Sequence, residues 1–102
     1  MARVTEMRVG IAVLHILAER PNGEAPVEVL KAELSKHITL SVDDHAGSPT
    51  RTNEEIWEQQ VRNLKSHEAA AGNIFHEGYV SQVARGIWRI TPAGRVHIVE
   101  AA

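Results

Sequence analysis

The chain lacks cysteine altogether and carries few aromatic residues. Without thiols, disulfide bonds, cysteine nucleophiles and cysteine-ligated zinc are all excluded. The aromatic residues of the 102-residue chain are Trp57, Phe75, Tyr79 and Trp88. A chain of this length hides only about 60–70% of the surface that its unfolded form exposes, so its hydrophobic core is thin. We therefore expect a single domain over 1–102, without a deep substrate cleft.

The sequence also lacks an apolar run long enough to span a membrane. The apolar stretch from Val9 to Ala18 follows two arginines, as in a signal peptide, but His15 interrupts it and no small-residue cleavage site follows. A bilayer-spanning helix needs about 20 apolar residues. We interpret the stretch as a buried first helix and expect a cytoplasmic protein without a membrane partner.

An excess of basic residues is likewise missing, since the net charge is −2. Taken over the whole chain, this value argues weakly against nucleic-acid binding. The charge is unevenly distributed, however: residues 1–56 carry a net charge of −3 and residues 57–95 a net charge of +2. Because local fields steer ligands more than net charge does, the second half of the chain can still face an anionic partner.

Apolar spacing predicts three helices in the first two thirds of the chain, over 5–20, 26–37 and 52–67. The first is more apolar than a surface helix, which indicates a central position in the core. The third begins at Thr52 and Glu55, whose spacing is that of a capping box. Its apolar side carries Val61 and Leu64, so Gln59 and Arg62 fall toward the opposite side.

The sequence pattern in the last third of the chain predicts a hairpin followed by a short helix. Two β-rich runs, 79–83 and 87–90, flank a turn containing Gly86. Thr91 then provides a helix N-cap and Pro92 a first helical residue, while Gly94 weakens the helix somewhat. Val96, Ile98 and Val99 of this helix are expected to pack against the core. The order of three helices, a two-stranded hairpin wing and a short C-terminal helix predicts an α+β fold, the winged helix-turn-helix.

Residues 86–95, Gly-Ile-Trp-Arg-Ile-Thr-Pro-Ala-Gly-Arg, carry a resemblance to a known family. They resemble the end of the winged-helix N-terminal domain of Mrr-type restriction proteins, whose pattern is a glycine, an aromatic residue in the wing strand, and Thr-x-x-Gly-Arg. Residues 57–65 and 78–80 resemble the third helix and the entry to the wing of that domain. The resemblance implies DNA binding in a restriction-like context. The cutting chemistry would then belong to a nuclease domain or a partner chain.

The outer side of the third helix is the candidate DNA-reading surface. Glutamine pairs with adenine and arginine with guanine in the major groove, which admits one α-helix, and the shorter polar side chains suit phosphates. Arginines in the wing could clamp phosphates or enter a minor groove. The alternative is a hydrated helix face, which the neighbouring Glu55 and Glu58 favour because carboxylates repel phosphate. The candidate DNA-binding residues are Thr52, Gln59, Arg62, Asn63, Lys65, Ser66, Arg85 and Arg89.

Other chemistry has weaker support in the sequence. The six histidines lack zinc-site spacing, so we expect neither a metal nor another cofactor. Asp43, Asp44 and His45 share a polar loop, but no nucleophile or phosphate loop accompanies them. We therefore expect a protein that is not an enzyme. Trp57 and Trp88 are candidates for a cage that stacks on a base. Their positions in the sequence pattern instead predict that both lie in the core.

Two functions from different classes remain open. The first is binding of double-stranded DNA, as a regulator or as the recognition module of a restriction-type nuclease, including one that depends on a modified base. The second is a winged helix that contacts another protein or forms a homodimer without binding DNA. The acidic net charge and the glutamates of the third helix favour the second.

Overall fold

The fold combines helices with a small sheet. A computed structural model of the chain describes residues 6–34, 36–37 and 56–100. The elements in these ranges are four helices and a three-stranded antiparallel sheet, which make the domain α+β. In chain order they are α1 (Glu6–Ala18), a short 3-10 turn (Pro21–Gly23), β1 (Glu24–Pro26), α2 (Val27–Leu34), α3 (Ile56–Ser66), β2 (Val80–Ala84), β3 (Ile87–Ile90) and α4 (Pro92–Glu100).

Helix α1 occupies the centre of the core, as its apolar sequence predicts. It contacts α2, α3, α4 and the sheet. Burial of large aliphatic side chains is the main favourable contribution to folding, at about 1.5–3 kcal/mol for each. The fully or almost fully buried side chains of α1 are Val9, Val13, Leu14, Ile16 and Leu17.

The sheet has one strand more than the predicted two-stranded hairpin. Strand β1 pairs antiparallel with β3, with Glu24 opposite Arg89 and Ala25 opposite Trp88. Asn22 and Gly23, with φ of 60° and 68°, turn the chain from α1 into this strand. A three-residue strand is too short to show alternation of apolar and polar residues, which is why the sequence pattern does not reveal it.

Helix α2 is shorter than predicted at both ends. Pro26, which was expected to start it, is the last residue of β1. The backbone N–H of Val27 donates to the carbonyl oxygen of Gly86 at 2.9 Å, which ties the start of α2 to the hairpin turn. The helix ends at Leu34, three residues before the predicted end at His37. The loop with Asp43, Asp44 and His45 and the capping box of Thr52 and Glu55 lie outside the described residues.

The hairpin and the helix that follows it agree with the prediction in most respects. Gly86 has a φ of 73° in the turn between β2 and β3. The Thr91 hydroxyl accepts a hydrogen bond from the Gly94 N–H at 3.1 Å, so Thr91 caps α4 as expected. Trp88 is buried and meets Phe75 edge to face, which confirms its place in the core. On α4, however, only Ile98 of the three expected packing residues is buried, since Val96 and Val99 are 57% and 75% exposed.

Asn73 organises the chain between α3 and β2. Its side-chain amide donates to the Leu64 carbonyl oxygen at 2.8 Å, and its Oδ1 accepts from the N–H of Phe75 at 2.7 Å and from the N–H of His76 at 3.2 Å. Asn73 therefore caps the short turn over residues 74–76. Its exposure is 7%, and no other polar or charged residue in the described part of the chain is buried.

Replacing Asn73 by alanine is expected to lower the free energy of unfolding by about 1–2 kcal/mol. The variant leaves the Leu64 carbonyl and two backbone N–H groups without their partner, and an unsatisfied buried polar group is destabilising. Urea denaturation followed by circular dichroism measures the change. Asn73→Asp tests the donor separately, because it keeps the acceptor for both N–H groups but places a carboxylate oxygen against the Leu64 carbonyl oxygen, which should also destabilise the domain. If Asn73→Ala and the parent are equally stable, the hydrogen bonds of the Asn73 side chain do not stabilise the fold.

Candidate nucleic-acid interface

Helix α3 is fixed to α1 through its apolar side. Val61 and Leu64 are at most 1% exposed. Gly10 of α1 allows the close approach, because a Cβ at that position would lie 3.1 Å from Cγ2 of Ile74 and 3.5 Å from Cδ2 of Leu64. With that side held, the other side of α3 faces outward, as predicted. It carries the half-buried Gln59 and Arg62 and the exposed Ser66, and the half-buried Asn63 flanks it.

Lys65 lies at the flank of this polar face, and its charge is already engaged. Its ammonium group pairs with the carboxylate of Glu68, one turn further along the chain. It also lies 5.6 Å from the centre of the Phe75 ring, within cation–π range. A phosphate that binds Lys65 has to compete with Glu68.

Arg89 of β3 is held in a similar way. Its Nη2 and Nε atoms lie 2.7 and 3.0 Å from Oε2 of Glu24, its partner in the register of β1 and β3. The pair lies on the outer face of the sheet, where Arg89 is about half exposed. The sequence-based prediction of Arg89 as a DNA contact took no account of Glu24, because β1 was not expected.

Arg85 differs from these two cations. It lies exposed in the turn between β2 and β3, at the tip of the hairpin. No carboxylate within the described ranges pairs with it, so its charge is available to an anion. Among the predicted wing residues, Arg85 therefore has the environment that best suits a phosphate contact.

A shallow open groove of about 680 Å³ joins the end of α3 to the hairpin. Lys65 and Glu68 line one side, and Ser81 and Gln82 of β2 line the other, with Phe75 and His76 between them. Of these residues only Lys65 was predicted as a site residue. Nothing in the sequence marks Ser81 or Gln82, since exposed polar residues on a short strand are common. The side-chain amide oxygen of Gln82 lies 3.3 Å from the indole Nε1 of Trp88.

The predicted residues therefore fall into three groups. Gln59, Arg62, Asn63, Lys65 and Ser66 share α3, and the groove beside β2 continues from its end. Arg85 and Arg89 lie on the hairpin, at its tip and on the outer sheet face. Thr52 lies outside the described residues.

The described residues show neither a metal-binding cluster nor a membrane-spanning helix. Within 6–34, 36–37 and 56–100, no three His, Cys, Asp or Glu side chains come close enough to share a metal ion. None of the helices in those ranges has the length and hydropathy that crossing a bilayer requires. No protein-family model, curated protein or solved structure matches this chain.

Proposed function

We propose that this chain is a winged-helix domain that binds double-stranded DNA through α3 and the hairpin of β2 and β3. The order of helix, strand, two helices and hairpin supports the winged helix, as does the pairing of β1 with β3. Helix α3 then serves as the recognition helix, and the hairpin serves as the wing.

The observation that carries the proposal is the open groove between the end of α3 and β2. It adjoins the two elements that would contact DNA. Its described lining is mixed, with the polar Lys65, Glu68, His76, Ser81 and Gln82 beside the apolar Ala69, Phe75 and Val80. A helix in the major groove has phosphate backbones on both sides. Arg62 and Gln59 on the outer side of α3 would read base edges, and Arg85 at the hairpin tip would hold a phosphate.

The resemblance to Mrr-type restriction proteins, which includes residues 57–65 and 78–80 as well as 86–95, supports the biological setting that we propose. In that setting the domain acts as a regulator or as the recognition module of a restriction-type nuclease. The cutting activity resides in another domain or a partner chain. Recognition of a modified base is part of this proposal and is tested with methylated and unmethylated duplexes.

A titration of a randomised duplex pool tests DNA binding directly. Fluorescence anisotropy at about 50 and 200 mM salt should show binding that weakens steeply as salt rises, because bound phosphates release counterions. Binding that is insensitive to salt, or absent at the lower concentration, would refute the proposal.

Changing Arg85 to alanine should weaken binding by a similar factor for every duplex sequence. A phosphate contact carries no sequence information, so specificity is retained and the salt slope falls by about one charge. The midpoint of thermal unfolding should stay close to that of the parent, because an exposed turn residue has little packing to lose. An unchanged affinity and an unchanged slope would remove the hairpin tip from the interface.

Changing Glu24 to glutamine should strengthen DNA binding, by about threefold or more at low salt. The substitution removes a carboxylate beside Arg89 and releases the guanidinium for phosphate. Glu100→Gln on α4 makes the same change of net charge away from the hairpin and is the control. If both variants bind DNA equally, Arg89 does not take part in the interface.

Contact with another protein is the second candidate function. It is favoured by the exposed Val96 and Val99 on α4 and by the carboxylates that engage Lys65 and Arg89. Sedimentation velocity with and without a duplex separates the two candidates. A protein-contact domain that forms homodimers gains mass as its concentration rises. It shows no salt-dependent binding to the duplex.

A further inference from the structure

A cavity of about 530 Å³ lies between the first half of α1, the segment 70–79 and α4. Its described lining shares no residue with the groove beside β2. The buried Gly10, Leu64 and Ile74 form its inner surface, and the half-buried Ile11 lies beside them. Pockets for small ligands have volumes of about 300–1,000 Å³ and mainly apolar walls. The size and lining of this cavity therefore suit a small organic molecule.

The charges around the cavity are of one sign. Glu6 and Glu77 line it, and neither lysine nor arginine appears among its described lining residues. Glu6 contacts His67 through Oε1 at 2.7 Å. Glu77 accepts the Gly72 N–H through Oε2 at 3.1 Å, and the same oxygen lies 3.9 Å from Nε2 of His76. A carboxylate offers about four acceptor sites on its two oxygens. Both groups therefore keep acceptor capacity for a further donor.

An aromatic pair completes the wall. The rings of Tyr79 and His97 stack with their centres 4.1 Å apart and their planes at 11°, and both residues line the cavity. Aromatic faces attract cations and also pack against other flat rings. An aromatic wall beside two carboxylates suits a cationic ligand better than an anionic one.

We propose that this cavity binds a small organic cation, an aromatic or aliphatic amine whose apolar body lies against Leu64 and Ile74 and whose ammonium group is held by Glu6 and Glu77. The proposal concerns a site separate from the DNA interface and does not depend on DNA binding. Since Leu64 belongs to α3, an occupied cavity also contacts the helix proposed to read DNA.

Three probes with one indole scaffold test the charge selectivity on the full chain. Tryptamine is cationic, 3-methylindole is neutral and indole-3-acetate is anionic. In an amide NMR titration without DNA, tryptamine should shift the resonances of residues 70–74 and bind about tenfold more tightly than indole-3-acetate. Equal affinity for the cation and the anion, or shifts elsewhere in the protein, would overturn the proposal.

Two matched variants test the location. Ala71→Trp places a large ring at an exposed position that lines the cavity and should weaken tryptamine binding by about tenfold or more. Ala69→Trp makes the same change two residues earlier, at an exposed position that lines the other groove, and should leave the affinity within about twofold. Similar effects of the two variants would refute the location.

The carboxylates and a competing occupant are tested separately. The double substitution Glu6→Gln and Glu77→Gln should remove most of the preference for tryptamine over 3-methylindole. Retention of the full preference would contradict the role of the carboxylates.

A second copy of this chain is the rival occupant of the cavity. Sedimentation velocity of the parent and of Ala71→Trp tests this alternative. A dimer that Ala71→Trp dissociates would overturn the proposal, and a monomer would support it.

Discussion

Replacing Gly94 by alanine should lower the free energy of unfolding by about 3 kcal/mol. A Cβ at this position would overlap the backbone carbonyl of Tyr79 and lie 2.7 Å from Cγ1 of Ile90. The Tyr79 carbonyl has little freedom to move, because it accepts a hydrogen bond from the N–H of Thr91 at 3.0 Å. Since the obstacle is backbone, a change of rotamer cannot relieve the overlap.

Helix propensity by itself predicts the opposite sign. In a helix interior alanine is more favourable than glycine by about 1 kcal/mol, so an unconstrained Gly94→Ala would stabilise α4. Thermal unfolding followed by circular dichroism decides between the two expectations. Ala93→Gly, at the adjacent exposed position, is the control and should follow propensity with a loss of at most about 1 kcal/mol, because Ala93 lies in the first turn of α4. A variant Gly94→Ala that melts above the parent would show that α4 does not pack closely on Tyr79.

The close approach at Gly94 explains part of the pattern on which the family resemblance depends. In Thr-x-x-Gly-Arg, Thr91 caps α4 and Gly94 permits contact with the Tyr79 carbonyl. Arg95 lies over the turn before β1, since a Cβ at Gly23 would be 2.7 Å from its Nη2. Thr91 and Gly94 therefore have structural roles within the domain, and the side chain of Arg95 lies close to the backbone at Gly23. The motif therefore bears on how the domain folds more directly than on what it binds.

The elements that the sequence predicts correctly are those with strong local signals. Helix α1 has five large apolar residues at helical spacing, and the hairpin has β-rich runs around a glycine with positive φ. Thr91 and Pro92 mark the start of α4 by their chemistry alone. These signals depend on neighbours in the chain, so they can be read without knowledge of tertiary contacts.

The features that the sequence does not reveal depend on partners far along the chain. Strand β1 exists because Glu24–Pro26 pairs with β3, more than 60 residues later. That pairing brings Glu24 to Arg89 and so changes the availability of a predicted DNA contact. Val96 and Val99 were expected to pack, but where α4 contacts α1 only Ile98 of these three apolar residues is buried. In each case the strand, ion pair or burial depends on tertiary contacts that the local sequence pattern does not specify.

Within the candidate site, helix periodicity predicts the outer side of α3 but not its electrostatic environment. The i, i+3 spacing of Lys65 and Glu68 was a readable signal of an ion pair. Ser81 and Gln82 reach the groove only because β2 lies beside the end of α3. Because helix periodicity predicts the outer side of α3, a substitution on that side is the strongest test of the proposed function.

Changing Arg62 to alanine should cost about 1–3 kcal/mol in binding to the preferred duplex, with a smaller loss on non-specific DNA. Arg62 lies midway along α3, half-buried and about 100° around the helix from the buried Val61, and an α3 in the major groove would bring it to base edges. Phosphate contacts such as Arg85 remain in the variant, and they support the residual non-specific affinity.

Arg62→Lys distinguishes base reading from simple charge. Lysine keeps the positive charge but lacks the planar fork that pairs with guanine, so it should restore non-specific affinity and only part of the specific affinity. The rival explanation is an Arg62 that only pairs with Glu58, one turn back on α3. In that case Arg62→Ala leaves the affinity for every duplex unchanged, and both variants bind like the parent. All three proteins are titrated against the preferred and the randomised duplex at two salt concentrations. The comparison distinguishes an arginine that reads bases from one that pairs only with Glu58 on the helix surface.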